Sequence, residues 1–173
     1  MEMKYKDFTV VETQFANQHL KQWTKATVHQ DRIEHWDVKG ILPIISMEHE
    51  LKFDVKSRKR ISRLDISFQD EYTWIEGTNI LGYPGWLKGK ADYIVFELKN
   101  HWLVVNRSIL HTFINARLYE NGYKEGKGIY EIYTRRNAKD KITLAIVDDL
   151  ARLEGSKKLR KYLWLKKSKS QTL

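Results

Sequence analysis

The sequence predicts an α/β or α+β domain in which a central mixed β-sheet is flanked by helices. Helical and extended patterns follow each other as helix, several strands, helix, strands and helix, the order of such a domain. The 173 residues are enough for one domain with its own core. There is no cysteine, which excludes disulfides and thiolate zinc sites, so the fold must rest on packing.

The first third of the chain is expected to form a helix and a hairpin. Phe15, Leu20 and Trp23 approximate helical spacing, which predicts a helix from about Val10 to Trp23. The stretch from Thr27 to Lys56 is rich in β-branched and aromatic residues, with a polar break at Ser46 to His49. This pattern indicates two extended segments joined by a turn.

The middle of the chain predicts three further strands. The first covers Trp74 to Thr78 and is followed by Gly82-Tyr83-Pro84-Gly85, where proline and then glycine occupy the positions that a type II turn prefers. Trp86, directly after this turn, is expected to be a packing anchor. Asp92 to Leu98 and Trp102 to Asn106 are short apolar runs separated by polar residues, as in a hairpin.

The last third predicts two helices around a pair of strands. Ser108 is expected to cap a helix that ends at Asn121-Gly122, where the glycine supplies a left-handed exit. Gly128 to Thr134 and Ile142 to Val147 are predicted to pair as strands. A final helix is expected from Asp148, with acidic residues at its start and lysines toward its end.

The net charge of +9 is concentrated at the C-terminus and indicates a polyanionic partner, most often nucleic acid. Residues 155–173 hold seven basic residues and no acidic ones, so residues 1–154 carry only +2. We therefore divide the chain into a single domain, 1–154, and a basic helix end and tail, 155–173. The residues expected to contact phosphates are Arg135 and Arg136 with Lys157, Lys158, Arg160 and Lys161.

No segment predicts insertion into or transport across a membrane. The longest apolar runs, such as Ile41 to Ile45, are far shorter than the roughly 18 residues needed to span a bilayer. The first seven residues are charged rather than signal-like. A cytoplasmic protein is the expectation, in the host cytoplasm if the protein is phage-encoded.

One acidic pattern predicts chemistry: Asp37, followed seventeen residues later by Asp54-Val55-Lys56. In a strand, Asp54 and Lys56 point to one face while Val55 points to the core. A turn at 46–49 would place Asp37 opposite Arg58 and close to Lys56. Two carboxylates with a lysine suit phosphodiester hydrolysis, which uses oxygen ligands for Mg²⁺ and a cation near the developing charge.

This pattern resembles the PD-(D/E)XK, or restriction-endonuclease-like, nuclease superfamily, in which an acidic residue, a short hairpin and (D/E)-X-K form the site. The resemblance covers roughly residues 10 to 118 and is closest to small phage and bacterial members. Trp36 replaces the proline before the first acid, and Asp54 stands where glutamate is more frequent. Its downstream part consists of Trp74-Ile75-Glu76, the Gly82 to Leu87 turn and Lys90-Ala91-Asp92-Tyr93-Ile94.

The resemblance implies specific roles. Asp37, Asp54 and the carbonyl of Val55 would bind Mg²⁺ or Mn²⁺, and Lys56 would assist the attacking water. The candidates to complete the site are Glu76 and, on the first helix, Glu12, Gln14 and Gln18. A competing site remains open at Glu97-Leu98-Lys99 with Asp65 or Asp92 as the upstream acid, although Asp92 and Glu97 would face opposite sides of a strand.

The sequence therefore predicts a Mg²⁺-dependent endonuclease that acts on DNA. A homodimer would suit cleavage of both strands of a duplex. Two alternatives from other classes stay open: a non-catalytic nucleic-acid-binding module of the same fold that binds through its basic tail, and a phage protein that inhibits a host protein by binding an acidic surface.

Overall fold

The computed structural model describes residues 8–60 and 64–162 and shows an α+β fold built on a mixed sheet. Six strands form the main sheet in the order β1-β2-β3-β5-β6-β8, and β4 with β7 forms a separate two-stranded ribbon. The helices are α1 (Phe8–His19), α2 (Arg107–Glu120) and α3 (Val147–Ala151). The strands are β1 (Lys21–Lys25), β2 (Val38–Ile41), β3 (Leu51–Lys56), β4 (Tyr72–Thr78), β5 (Tyr93–Glu97), β6 (His101–Asn106), β7 (Lys141–Ile146) and β8 (Lys157–Arg160).

The predicted central mixed sheet is confirmed. Among the described strands of this sheet the β3–β5 pair is parallel, while β1–β2, β2–β3, β5–β6 and β6–β8 are antiparallel. The neighbouring strands β5 and β6 are almost wholly buried because each is a run of apolar residues covered on both faces. The strand β3 lies beside β5 at the centre of the sheet.

Two apolar cores lie on opposite faces of the sheet. On one face α1 packs through Phe15 and Ala16 against Phe53, Val95 and Val104. Alternate side chains of the same strands point to the other face, where α2, α3 and the β4–β7 ribbon pack. The apolar members of that second core include Trp86, Ile94, Phe96, Leu103, Leu110, Ile114 and Leu150.

Several element boundaries differ from the prediction. The first helix ends at His19, and Trp23 belongs to β1, which pairs with β2. The N-cap of α2 is Asn106, whose side chain accepts a hydrogen bond from the Ile109 amide at 3.1 Å, and Ser108 lies inside the helix. The predicted exit at Gly122 is confirmed, since its φ is +62°.

The predicted strand at Gly128 to Thr134 is wrong. This segment makes only isolated bridges, and Tyr130 has a φ of +54°, which interrupts an extended backbone. The partner of β7 is instead β4, with Tyr72 opposite Ile146 and Glu76 opposite Ile142. Pairing of β4 with β7 covers the face of the main sheet that carries Asp54.

The predicted final helix is confirmed at its start, since α3 carries Asp148 and Asp149 in its first turn, but it ends at Ala151 and does not include the lysines. The chain leaves α3 after Ala151, turns at Gly155 with a φ of +72°, and continues as β8 along β6. Leu159 is buried in the core while its neighbours Lys158 and Arg160 are exposed, an alternation that suits an edge strand. Part of the basic segment therefore completes the sheet, and residues 163–173 lie outside the described part of the chain.

No helix in the described ranges is long and apolar enough to cross a membrane.

Replacing Phe15 by alanine is predicted to destabilise the protein by about 3 to 5 kcal/mol, because its fully buried ring contacts the rings of Phe53 and Trp102. Denaturant unfolding measures the change. Val10→Ala on the exposed side of the same helix is the control and should change the free energy of unfolding by less than about 0.5 kcal/mol. Equal effects of the two substitutions would contradict the placement of this core.

Candidate metal and phosphodiester site

The β2–β3 hairpin brings the two predicted carboxylates face to face. Val38 pairs with Phe53 and Lys39 with Lys52, so the same register places Asp37 opposite Asp54. The prediction that Asp37 lies opposite Arg58 is wrong by four residues, because the turn between the strands is centred earlier than Ser46 to His49. Phe53 and Val38 face the α1 core, so both carboxylates face the other side of the sheet.

Both carboxylates are buried, with 7% of Asp37 and 2% of Asp54 exposed. Asp37 Oδ2 accepts a hydrogen bond of 2.6 Å from the Val55 amide. Burial, with the charge of Asp54 added to it, raises the pKa of Asp37 to about 9. At neutral pH Asp37 therefore keeps its proton.

Lys56 supplies the positive charge that Asp54 needs. Its Nζ lies 2.6 Å from Asp54 Oδ1 and 5.0 Å from the ring centre of Trp86. Burial alone would lower the pKa of Lys56, but the charges of Asp54 and Asp37 outweigh burial and raise it. Lys56 is therefore a permanent cation, suited to stabilising negative charge rather than to accepting a proton.

One oxygen of the pair has no partner. Asp54 Oδ2 is fully buried and accepts no hydrogen bond from the residues that the structure describes. A buried carboxylate oxygen without a donor costs free energy unless a ligand satisfies it. Beside a second carboxylate, such an oxygen is a good ligand for a small hard cation.

The carbonyl of Val55 is directed toward the same place. The amide of Val55 points across the hairpin to Asp37, and the N–H and C=O of a strand residue point toward the same neighbouring strand. Asp37, Asp54 and this carbonyl are the predicted oxygen ligands of Mg²⁺ or Mn²⁺. Within the described residues no group of three or more His, Asp or Glu side chains is arranged to hold a metal ion.

Two further predicted residues interact electrostatically with this group: Glu12 with the two carboxylates, and Glu76 with Lys56. Glu12 on α1 lies 3.7 Å from Lys25 Nζ, and burial raises its pKa, with Asp54 among the charges that act on it. Burial also raises the pKa of Glu76 on β4, against an opposing effect of the Lys56 charge. Gln14 is half-buried on α1 and makes no hydrogen bond to the carboxylates.

The turn before Trp86 positions Glu76, but not in the predicted way. Gly85 has φ −80°, whereas a type II turn would need a positive φ there. Glycine is required because a Cβ on Gly85 would lie 2.6 Å from the Glu76 carbonyl oxygen. The Gly85 amide donates a hydrogen bond of 3.1 Å to the Gly77 carbonyl, which holds the following residue, Trp86, beside Glu76. Trp86 is buried, as expected of a packing anchor, and its ring lies against the Lys56 ammonium.

The sequence did not single out Lys59, which also faces this site. Its half-buried side chain senses the charges of Lys56, Asp54 and Glu76, and burial lowers its pKa. Its ammonium makes no hydrogen bond or ion pair with any described residue. The strand β3 ends at Lys56, so the alternation of side chains along a strand could not predict where Lys59 lies. The backbone of Lys59 forms an isolated bridge with Gln69.

The predicted nucleic-acid contacts fall into two groups. Arg136, Lys158 and Arg160 are exposed. Arg135 is paired with the buried Asp140, and Lys161 is paired with Glu97 beneath the Trp102 ring. Lys157 is half-buried on β8. Because β8 is three strand spacings from β3, about 14 Å, its cations lie at a distance from the carboxylates.

The competing Glu97-Leu98-Lys99 site is not assembled. Glu97 accepts a hydrogen bond from the Arg58 amide at 3.0 Å in addition to its ion pair with Lys161. Asp92 accepts from the Lys52 amide at 2.7 Å and lies beyond the opposite end of β5. Both carboxylates thus hold neighbouring strands together and do not meet.

Comparison of the chain with protein-family models, with curated proteins and with solved structures finds no match.

Asp37 is predicted to make stability fall with rising pH. Its pKa is about 9 in the folded protein against about 3.8 when unfolded, so the folded state holds the extra proton between these values. The associated stability is complete below about pH 4 and is lost as the pH rises toward 9. Asp37→Asn keeps an acceptor for the Val55 amide and should remove this dependence.

Denaturant unfolding at pH 5 and pH 8.5, without divalent cations, measures this effect. At pH 8.5 Asp37→Asn should be more stable than the original protein by on the order of 2 kcal/mol, a typical cost of an unsatisfied buried group. Asp148→Asn, which changes an exposed carboxylate on α3, is the control and should leave the pH profile unchanged. A parallel pH profile in Asp37→Asn would refute the raised pKa.

Proposed function

We propose that the protein is a metal-dependent nuclease of the restriction-endonuclease-like class that hydrolyses phosphodiester bonds in DNA. The observation that carries the proposal is the pair of facing, buried carboxylates, Asp37 and Asp54, with one oxygen of Asp54 unsatisfied and Lys56 on the same strand. Ionisable groups whose pKa values are shifted by burial and by neighbouring charges are typical of functional sites.

The residues fit the expected cation. Mg²⁺ in nucleotide chemistry is commonly held by one or two carboxylates, with water and phosphate oxygens completing its coordination. Asp37, Asp54 and the Val55 carbonyl would hold Mg²⁺ or Mn²⁺ in this way. When bound, the ion polarises the phosphate and lowers the pKa of a water molecule.

The side chains around the pair have separable tasks in this proposal. Lys56 stabilises the negative charge on the phosphate oxygens, and the ring of Trp86 holds its ammonium in place. Lys59, which has no partner in the described protein, binds a phosphate oxygen next to the scissile bond. Glu12 and Glu76 add negative charge, which favours the binding of a divalent cation beside the Lys56 ammonium.

DNA as the substrate, a homodimer and a cytoplasmic location stay predictions. The contribution of the basic C-terminus is best tested by removing residues 163–173, since a cut at 155 would also remove β8 and uncover β6. If the shortened protein binds DNA more weakly but cleaves bound DNA at the original rate, the tail contributes sequence-independent attraction to the phosphates.

Purified protein is expected to cut DNA with Mg²⁺ or Mn²⁺ and not in EDTA. Asp54→Asn and Lys56→Ala should each lower the cleavage rate at least about 100-fold, the scale seen when one group that stabilises a transition state is removed. Gel assays of a labelled substrate measure the rate. Asp148→Asn and Lys21→Ala, both exposed, are the matched controls.

Full activity in both site variants, or cleavage that persists without divalent cations, would overturn the proposal. Binding of DNA without turnover under any divalent cation would favour the non-catalytic alternative. Circular dichroism of each variant establishes that the fold is retained.

Lys59→Ala is predicted to slow cleavage about 10- to 100-fold, because a hydrogen bond to a charged group is worth about 1.5 to 3 kcal/mol. Lys59→Arg keeps the cation and should retain most of the activity. Single-turnover rates at saturating DNA measure the effect. An equal loss of activity in Lys59→Arg would point to a structural role for this residue.

A further inference from the structure

Two loops meet at one end of the β4–β7 ribbon. Residues 79–84 follow β4, residues 135–140 precede β7, and Thr78 pairs with Lys141 where the strands join them. The Lys139 amide donates to the Ile80 carbonyl at 3.1 Å. Gly82 lies so close that a Cβ there would be 3.4 Å from Lys139. We call residues 79–84 with 135–141 the ribbon tip.

The ribbon tip combines exposed apolar and basic side chains. Ile80, Leu81 and Tyr83 expose 55%, 66% and 65% of their surfaces. The Tyr83 ring contacts no other ring in the described chain. Beside these side chains lie three exposed cations without an ion-pair partner among the described residues: Arg136, Lys139 and Lys141.

This surface is continuous with the candidate site. Glu76 precedes the ribbon tip by only three residues and lies on the same strand, and the charge of Arg135 reaches it. Gly85, directly after the tip, packs against Glu76 and is hydrogen-bonded to Gly77. A polymer lying along the tip would therefore lead toward Asp54 and Lys56.

We infer that the ribbon tip binds an unpaired stretch of nucleic acid, so that single strands, flaps or frayed ends are the substrates of the site. This inference rests on the proposed nuclease function. Bases in an intact duplex are stacked on each other and offer no free faces to Tyr83 or Leu81. Unpaired bases offer those faces, and aromatic side chains next to cations are the means by which proteins hold single strands.

The three cations complement this role. Arg136, Lys139 and Lys141 flank the apolar side chains, so phosphates could follow the cations while bases turn toward Tyr83. An acidic protein would match the cations as well. Stacking on Tyr83 needs a planar group, which every unpaired base supplies and an acidic side chain does not, so nucleic acid is the occupant that uses both features of the surface.

The test compares a labelled single-stranded oligonucleotide with a blunt duplex of the same sequence. Fluorescence anisotropy in EDTA measures binding without cleavage. We expect the original protein to bind the single strand more tightly than the duplex. Tyr83→Ala should bind the single strand about 10-fold more weakly, whereas Tyr83→Phe should bind it as tightly as the original protein does. Tyr119→Ala, which removes an exposed tyrosine from α2, is the matched control and should bind normally.

Replacing Arg136, Lys139 and Lys141 together by glutamine should flatten the dependence of the binding constant on salt, since fewer counterions are then released. Equal or tighter binding of the blunt duplex, or unchanged binding by Tyr83→Ala, would overturn the inference. Absence of nucleic-acid binding at low salt would also overturn it and would favour the acidic protein.

Cleavage assays separate this inference from the function on which it rests. If the protein cuts duplex and single strand at equal rates with a divalent cation, and Asp54→Asn abolishes this cutting, the nuclease function is supported and the single-strand preference is contradicted. If the protein binds single strands through Tyr83 but does not cut them, the binding surface is supported and the nuclease function is contradicted.

Discussion

The structure depends on the burial of Asp37 opposite Asp54, with the Lys56 ammonium paired to Asp54 and the Lys59 ammonium close enough to feel its charge. Two carboxylates in a weakly polar site cannot both ionise cheaply, so Asp37 keeps a proton and Asp54 pairs with Lys56. The fold tolerates this arrangement because backbone and packing restrain every member of the group. Val55 donates to Asp37, and Trp86 lies beneath Lys56.

The rest of the fold maintains this arrangement from both faces of the sheet. The α1 core fixes Phe53 and so the rotation of β3, which decides that Asp54 points away from that helix. On the other face, the ribbon and the Gly85 contact bring Glu76 and Trp86 over the carboxylates. The arrangement on which the proposed cation site rests follows from these contacts rather than from any one motif.

The sequence predicted the mixed sheet and the approach of Asp37 to Asp54-Val55-Lys56, because alternation and spacing are local signals, but it placed Asp37 opposite Arg58 instead of Asp54. Local signals fail where a distant segment competes. The Lys157–Arg160 segment suits a helix end by composition, yet pairing with β6 makes it a strand. The chain could not reveal Lys59 either, since it lies beyond the end of β3, where strand alternation no longer predicts the direction of a side chain.

The position of β8 also matters for how the protein is made. The chain emerges from the ribosome from its N-terminus, so α1, the β2–β3 hairpin and β5–β6 are available well before Lys157–Arg160. Until that last strand arrives, β6 is an unprotected edge rich in tryptophan and valine, the type of edge that recruits other chains. The late lysines and arginine of β8 then cover this edge with charge, so chains interrupted before Lys157 are the ones exposed to aggregation.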